Sequence, residues 1–136
     1  MTKLENAKKE FNTLWHPYFK YEEMECGCGE CIIPVDDPVF RNFMFRIVKL
    51  RGELDFPFIV TSGYRCPKYN TAVSSTGADG PHTKGAMDIA VTFEQMYRLV
   101  EIATSYNMGV GIKQHGPLDK RFCHIDNLGS RLWSYP

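Results

Sequence analysis

Apolar residues change their period several times along this chain, and each change marks an element. From Asp37 to Leu50, DPVFRNFMFRIVKL places Val39, Phe40, Phe43, Met44, Ile47 and Leu50 on one helical stripe. The stripe predicts a packed helix, with Asp37 as its cap and Pro38 at the first helical position, where a missing N–H costs nothing. Gly52 weakens continuation. PFIVTSG then reads as a short central strand leading into an exposed turn, which delivers Ser62, Tyr64 and Arg65 to a strand end. Residues 70–87, NTAVSSTGADGPHTKGAM, form the most loop-like stretch, where small residues, glycine and proline let backbone approach a ligand closely.

DIAV follows as a short buried strand. Thr92 is placed to cap the next helix, with Gln95 at the reciprocal capping-box position and Phe93, Met96, Tyr97, Val100 and Ala103 as its buried face. GVGI and FCHID are two further strands, separated by the loop KQHGPLDKR. Up to Pro34 the chain reads as an irregular arm, because Pro17 and the glycine–cysteine turn at 26–31 oppose a long continuous helix. Trp15, Tyr18, Phe19 and Tyr21 are its anchors on the core. The sum is one α+β domain over residues 1–136, with a small, mainly antiparallel sheet packed with helices.

Composition narrows the partners. A chain of 136 residues, 43% of them apolar, can bury a real core without obligatory disulfides. Sixteen basic residues balance sixteen acidic ones, and the longest basic clusters, Lys8–Lys9 and Lys120–Arg121, are too short to track a phosphate backbone. Nucleic acid is therefore not an expected partner. No apolar run is long enough to cross a bilayer, and MTKLENAKKEFNTLW lacks the continuous apolar segment of a secretion signal. The expectation is cytoplasmic synthesis, no stable membrane insertion and a monomer.

The candidate chemistry lies in GPHTKGAMDIA and RFCHIDN. Two imidazoles and a carboxylate, His82, Asp88 and His124, make a good zinc set, and catalytic zinc keeps a fourth position open. The six-residue step from His82 to Asp88 would span roughly 20 Å if extended, so the ligands meet only if the chain turns near Gly85. In FCHID the two-residue strand period puts Phe122, His124 and Asp126 on one face. Asp88 is the better ligand, while Asp126 is placed to orient a histidine, contact substrate or handle a proton. A second cluster, Cys26, Cys28 and Cys31 with Cys66 as a distant fourth member, reads as a structural metal site, a disulfide set or free thiols. An odd total of five cysteines argues against a fully paired secreted scaffold. Cys66 and Cys123 also each have an ordinary core reading.

SGYRCPKYN at 62–70, HTKGAMD at 82–88 and CHID at 123–126 together resemble zinc peptidase family M15, especially its D-alanyl-D-alanine carboxypeptidase-like branch of bacterial and phage proteins. The resemblance implies the fold shared by these peptidases and the hedgehog signalling domain, with zinc held by His82, Asp88 and His124. It makes Arg65 the candidate for binding a substrate carboxylate or an oxyanion, for which a bidentate guanidinium is suited. The implied reaction is hydrolysis of a peptide bond in peptidoglycan by zinc-activated water, at the cell wall after release from the cell or delivery in a virion. The chain departs from the family pattern twice. Several relatives supply the general base just before the last zinc histidine, where this chain has Arg121 and Phe122, and Gly80 replaces the serine of a common Ser-x-His turn. Asp126, His115 and Asp119 are the remaining candidates for proton transfer. A non-enzymatic wall-binding or structural protein that keeps the fold and metal is the alternative class.

Overall fold

The computed structural model describes residues 1–136. Four helices, α1 (Lys3–Trp15), α2 (Pro38–Gly52), α3 (Pro67–Val73) and α4 (Phe93–Ser105), accompany five strands: β1 (Val60–Ser62), β2 (Ala86–Ile89), β3 (Gly109–Lys113), β4 (Phe122–Asp126) and β5 (Arg131–Ser134). The strands form a single sheet in the order β1-β2-β4-β3-β5, antiparallel throughout except for the parallel β3–β5 pair. This is a mixed α+β fold, and none of its helices is long and apolar enough to cross a membrane.

The predicted helix at 37–50 is α2, and the Asp37 carboxylate accepts the Phe40 N–H at 3.1 Å, as its capping position requires. Phe40, Phe43, Met44, Ile47 and Leu50 are buried, while Val39, on the first turn, is exposed. These side chains join Met87, Ile89, Val110, Cys123 and Ile125 from the sheet and Met96, Leu99 and Ala103 from α4 in one core cluster. Cys123 is thus a core residue.

Several expectations are corrected. The N-terminal arm is not irregular throughout, because residues 3–15 form α1. Thr2 caps it through a bond from the Glu5 N–H, and it ends at Trp15, before Pro17. Phe11 and Trp15 from α1, with Phe19 and Tyr21 beyond it, are buried, and the Trp15 ring meets Phe40 edge-on at 6.0 Å. Removing a buried ring of this kind costs roughly 3–5 kcal/mol, so the arm is part of the core. Tyr18 is exposed and is no anchor.

PFIVTSG contributes an edge strand, β1, not a central one; β4 occupies the centre. The loop-like region is shorter than 70–87. Residues up to Val73 belong to α3, whose start is fixed by Pro67 at its first turn and by Cys66 Sγ accepting the Tyr69 N–H. The strand expected at DIAV begins two residues earlier, at Ala86.

Phe93 and Tyr97 are each 69% exposed, contrary to the predicted buried face of α4. Phe93 has φ +51°, its N–H donates to the Gln114 side chain, and the Thr92 side chain makes no capping bond. The first turn is therefore rotated away from the ideal stripe, and Met96, Leu99 and Ala103 carry the packing.

Candidate metal centre and cleft

The sheet register assembles the site. One row across the strands runs Ser62, Asp88, His124, Gly111 and Trp133; the next runs Ala86, Asp126, Gly109 and Arg131. Alternation sends Cys123 and Ile125 into the core and leaves His124 and Asp126 on the opposite face. The glycines of β3 leave room there. A Cβ at Gly111 would lie 2.6 Å from the Trp133 ring, and one at Gly109 would collide with the Asp126 carboxylate. His82 comes from the turn after Gly80, and its carbonyl accepts the Arg65 N–H at 3.0 Å.

The five buried polar or charged residues of the chain are Asn70, His82, Asp88, His124 and Asp126, and all of them belong to this region. Buried polar groups persist only where they are paired, so the cluster has to be accounted for atom by atom. Asp88 Oδ1 lies 3.2 Å from His82 Nε2 and 2.9 Å from His124 Nδ1. The outward nitrogens have partners as well. His82 Nδ1 is 2.7 Å from the Gly63 carbonyl, and His124 Nε2 is 2.8 Å from Asp126 Oδ2.

A carbonyl and an ionised carboxylate can only accept, so the outward nitrogens of neutral rings carry the protons. The inward nitrogens then aim lone pairs at the Asp88 carboxylate. Three acceptors so close require a cation or a proton between them. Zinc bonds of about 2.0–2.1 Å give tetrahedral edges of about 3.3–3.4 Å, close to the spacings here. The donor set, the tautomers and the outer partners thus fit a divalent ion held by His82 Nε2, Asp88 and His124 Nδ1.

The electrostatics agree. Where a proton stands in for the ion, the inward nitrogens become donors: burial opposes ionisation of Asp88, but hydrogen bonds from His124 and His82 outweigh it and hold the carboxyl at about 2. For His124 burial disfavours the cation, yet Asp126 and Asp88 on its two nitrogens raise its pKa above 6.5. Because its pKa is raised, protons compete with a metal ion for the inward nitrogen of His124. Metal affinity is expected to fall as pH drops through this raised value, by up to about tenfold per pH unit. Zinc titrations between about pH 5.5 and 8.5 check this; a flat profile would contradict it.

A cleft of about 440 Å³ opens over the site, lined by the aromatic residues Phe122, Trp133 and Tyr135 and by Val73, Ser74, Ser75 and Thr76. His82, Asp88, His124, Arg65 and Arg131 also face it. Asn70 accepts from Arg65 Nη1 at 3.1 Å, and its own amide donates to Thr76 Oγ1 at 3.0 Å, so a fully buried amide ties the arginine to the rim.

The other predicted residues are placed differently. Ser62 does not line the cleft, and Tyr64 is buried against Phe40 with ring centroids 6.2 Å apart. His115 is exposed, with Nε2 3.1 Å from the Tyr135 carbonyl, and Asp119 is exposed on the short turn Leu118–Lys120. Asp126 lies behind His124. Its carboxylate accepts from Arg131 Nη2 at 2.6 Å and from the Leu128 N–H at 3.0 Å, besides facing the imidazole. None of the three lines the cleft.

Sequence reasoning missed Asn70, Arg131, Trp133 and Tyr135. For the last three there was a signal. RLWSY follows the turn residues NLGS, and Arg131, Trp133 and Tyr135 stand at the two-residue period of a strand. The Arg131 guanidinium stacks 4.9 Å from the centre of the Trp133 ring while pairing with Asp126, so one side chain links the outer carboxylate to the aromatic wall.

No curated protein and no solved structure matches the chain. The family model described as Peptidase M15 matches residues 17–126, a span that contains Arg65 and all three candidate ligands. With most of its length matched and a buried His-Asp-His set suited to a metal, the chain belongs to the peptidase M15 family.

Proposed function

We propose that this protein is a zinc-dependent peptidase that hydrolyses a peptide bond in the stem peptides of bacterial peptidoglycan, acting at the cell wall in phage lysis or virion entry. The observation that carries the reading is the pair of outer acceptors, Gly63 O and Asp126, which place the ring proton of each neutral histidine on its outward nitrogen and leave the inward one to a metal. The order of the SGYR, HTKGAMD and CHID segments supports a DD-peptidase and hedgehog type of arrangement.

When bound, zinc supplies Lewis-acid activation of water and of the scissile amide. The protein does the rest. His82, Asp88 and His124 hold the ion, and Asp126 keeps the His124 ring oriented and favours charge on it. Arg65 presents a guanidinium to the cleft with Asn70 behind it, which suits a peptide ending in a carboxylate or an oxyanion formed near the metal. The aromatic wall packs the aliphatic parts of a short peptide, and the Ser74–Thr76 rim offers hydroxyls to its amides.

If Arg65 binds a terminal carboxylate, Arg65→Gln raises KM by about 10–100-fold for peptides with a free C-terminus, and amidated peptides lose nothing further. Equal losses on both peptides would reassign Arg65 to the oxyanion or to the fold.

One observation favours a second reading. Asp88 is the only carboxylate in the cleft wall, and beyond the two ligands the wall contains no histidine. A protein without a general base gives up about 10²–10⁴-fold in rate, which makes a metal-containing wall-binding protein the competing function. Incubation with purified peptidoglycan separates the two. Zinc-dependent loss of turbidity supports the peptidase, and stable co-sedimentation without release of soluble fragments supports the binder.

A further inference from the structure

Outside the histidine site, the sulfur atoms of Cys26, Cys28, Cys31 and Cys66 all lie within 4.8 Å of one another. We propose that these four cysteines hold a second, structural metal ion, a thiophilic divalent cation such as zinc, which fastens the N-terminal arm to the turn bearing Arg65.

The geometry favours a metal over disulfides. A zinc–sulfur bond of about 2.3 Å gives a tetrahedral edge of about 3.8 Å. Cys26 Sγ and Cys66 Sγ are 3.8 Å apart. A disulfide requires sulfurs about 2.05 Å apart. Three of the sulfurs also accept backbone N–H groups. Cys28 Sγ faces the N–H of Glu30 and of Cys31 at 3.4 and 3.3 Å, Cys26 Sγ that of Cys66 at 3.3 Å, and Cys66 Sγ that of Tyr69 at 3.4 Å. Such donors stabilise negative charge, so they suit thiolates, the form that binds metal, better than neutral disulfide sulfurs.

Local sequence explains how the donors arise. Gly29, at φ +72°, turns the chain between Cys28 and Cys31 so that two successive N–H groups point back at the Cys28 sulfur. Cys66 stands at the N-terminus of α3 with Tyr69 three residues on. Four soft ligands within 4.8 Å of one another select zinc or iron over magnesium or calcium.

The ion would close a loop of 40 residues between Cys26 and Cys66, beside the Tyr64 N–H bond to the Met24 carbonyl at 3.0 Å. Cys66 is next to Arg65, so this clamp sets the arginine's backbone position from one side while the His82 carbonyl sets it from the other. The binding free energy of the ion is folding free energy for these segments.

Cobalt substitution reads this site apart from the histidine centre. The His82→Ala/His124→Ala protein, purified under reducing conditions and titrated with Co²⁺, is expected to bind one equivalent. It should show sulfur-to-cobalt charge-transfer absorption in the near ultraviolet and intense tetrahedral d–d bands. Cys31→Ser in the same background should lose both. If the double alanine protein does not fold, wild type gives the same readout, with thiolate bands that saturate at one equivalent of the two bound. Cobalt binding without thiolate bands, or no binding by folded protein, overturns the proposal. So does alkylation and peptide mapping of metal-free native protein that finds Cys26–Cys66 and Cys28–Cys31 bridges. These outcomes are independent of whether the histidine centre hydrolyses anything.

Discussion

Replacing His82 and His124 together by alanine removes one equivalent of bound zinc and takes peptide hydrolysis down to background. The two imidazoles supply both nitrogen ligands, and Asp88 alone is a single carboxylate in a buried setting. The substitutions also leave the Gly63 carbonyl and the Asp126 carboxylate without their imidazole donors. An abandoned buried acceptor costs about 1–3 kcal/mol, so a lower melting temperature is expected alongside the lost metal. Metal analysis together with circular dichroism makes the check. Wild-type metal content in the folded double variant would refute the ligand assignment.

The second large effect is expected at Asp126, and its character matters more than its size. Asp126→Asn keeps the shape and can still accept from His124, but it removes the charge that faces the imidazole and Arg131. A positioning role predicts zinc affinity lower by about 10–100-fold, with the rate at saturating zinc largely retained. A proton-transfer role predicts a rate lower by about 10²–10⁴-fold even when zinc saturates. Complete burial and three hydrogen-bond partners favour the first outcome.

Stability at low pH should report the same residue. Burial raises the Asp126 pKa, but His124, the Leu128 N–H and Arg131 together hold it below the usual 3.8. A depressed carboxylate stabilises the fold above its unfolded value, and the contribution is lost as pH falls through the folded value. Wild type and Asp126→Asn should therefore begin to converge in stability at about pH 4, near the unfolded value, and meet only below the lower folded one.

What could be read from the chain divides along physical lines. Local patterns carried α2, where stripe, cap and proline agree, and β4, where period two correctly put His124 and Asp126 on one face. The candidate ligand cluster was legible because His, Asp and His are costly to bury without purpose, and the chain turns over residues 81–85 between His82 and Asp88. In α1 the stripe Leu4, Ala7, Phe11, Leu14 and Trp15 was present, but Pro17 and the cysteine turn were allowed to speak for residues too far upstream. Phe93 misled because its positive φ turns an apolar ring to solvent, which no periodicity reveals.

The losses at the site have a different cause. Trp133 and Arg131 reach it through a parallel pairing of β5 with β3, and the register of a distant strand is not written in its own residues. Asn70 matters because it lies between Arg65 and Thr76, a relation that only the folded chain creates. Asp126 illustrates the limit best. Sequence put it on the right face beside His124, but only the contacts of Arg131 and Leu128 show how fully its oxygens are taken up.

The central claim, a metal-dependent peptidase, is tested most directly by mass-spectrometric analysis of products from defined peptidoglycan stem peptides, with zinc-loaded and chelated protein in parallel. The account predicts a product shorter by one hydrolytic cleavage, absent after chelation and restored by zinc, whose mass locates the bond. No product from any of several stem-peptide types, by folded protein with zinc in the His82–Asp88–His124 site, would contradict it and leave the wall-binding reading in its place.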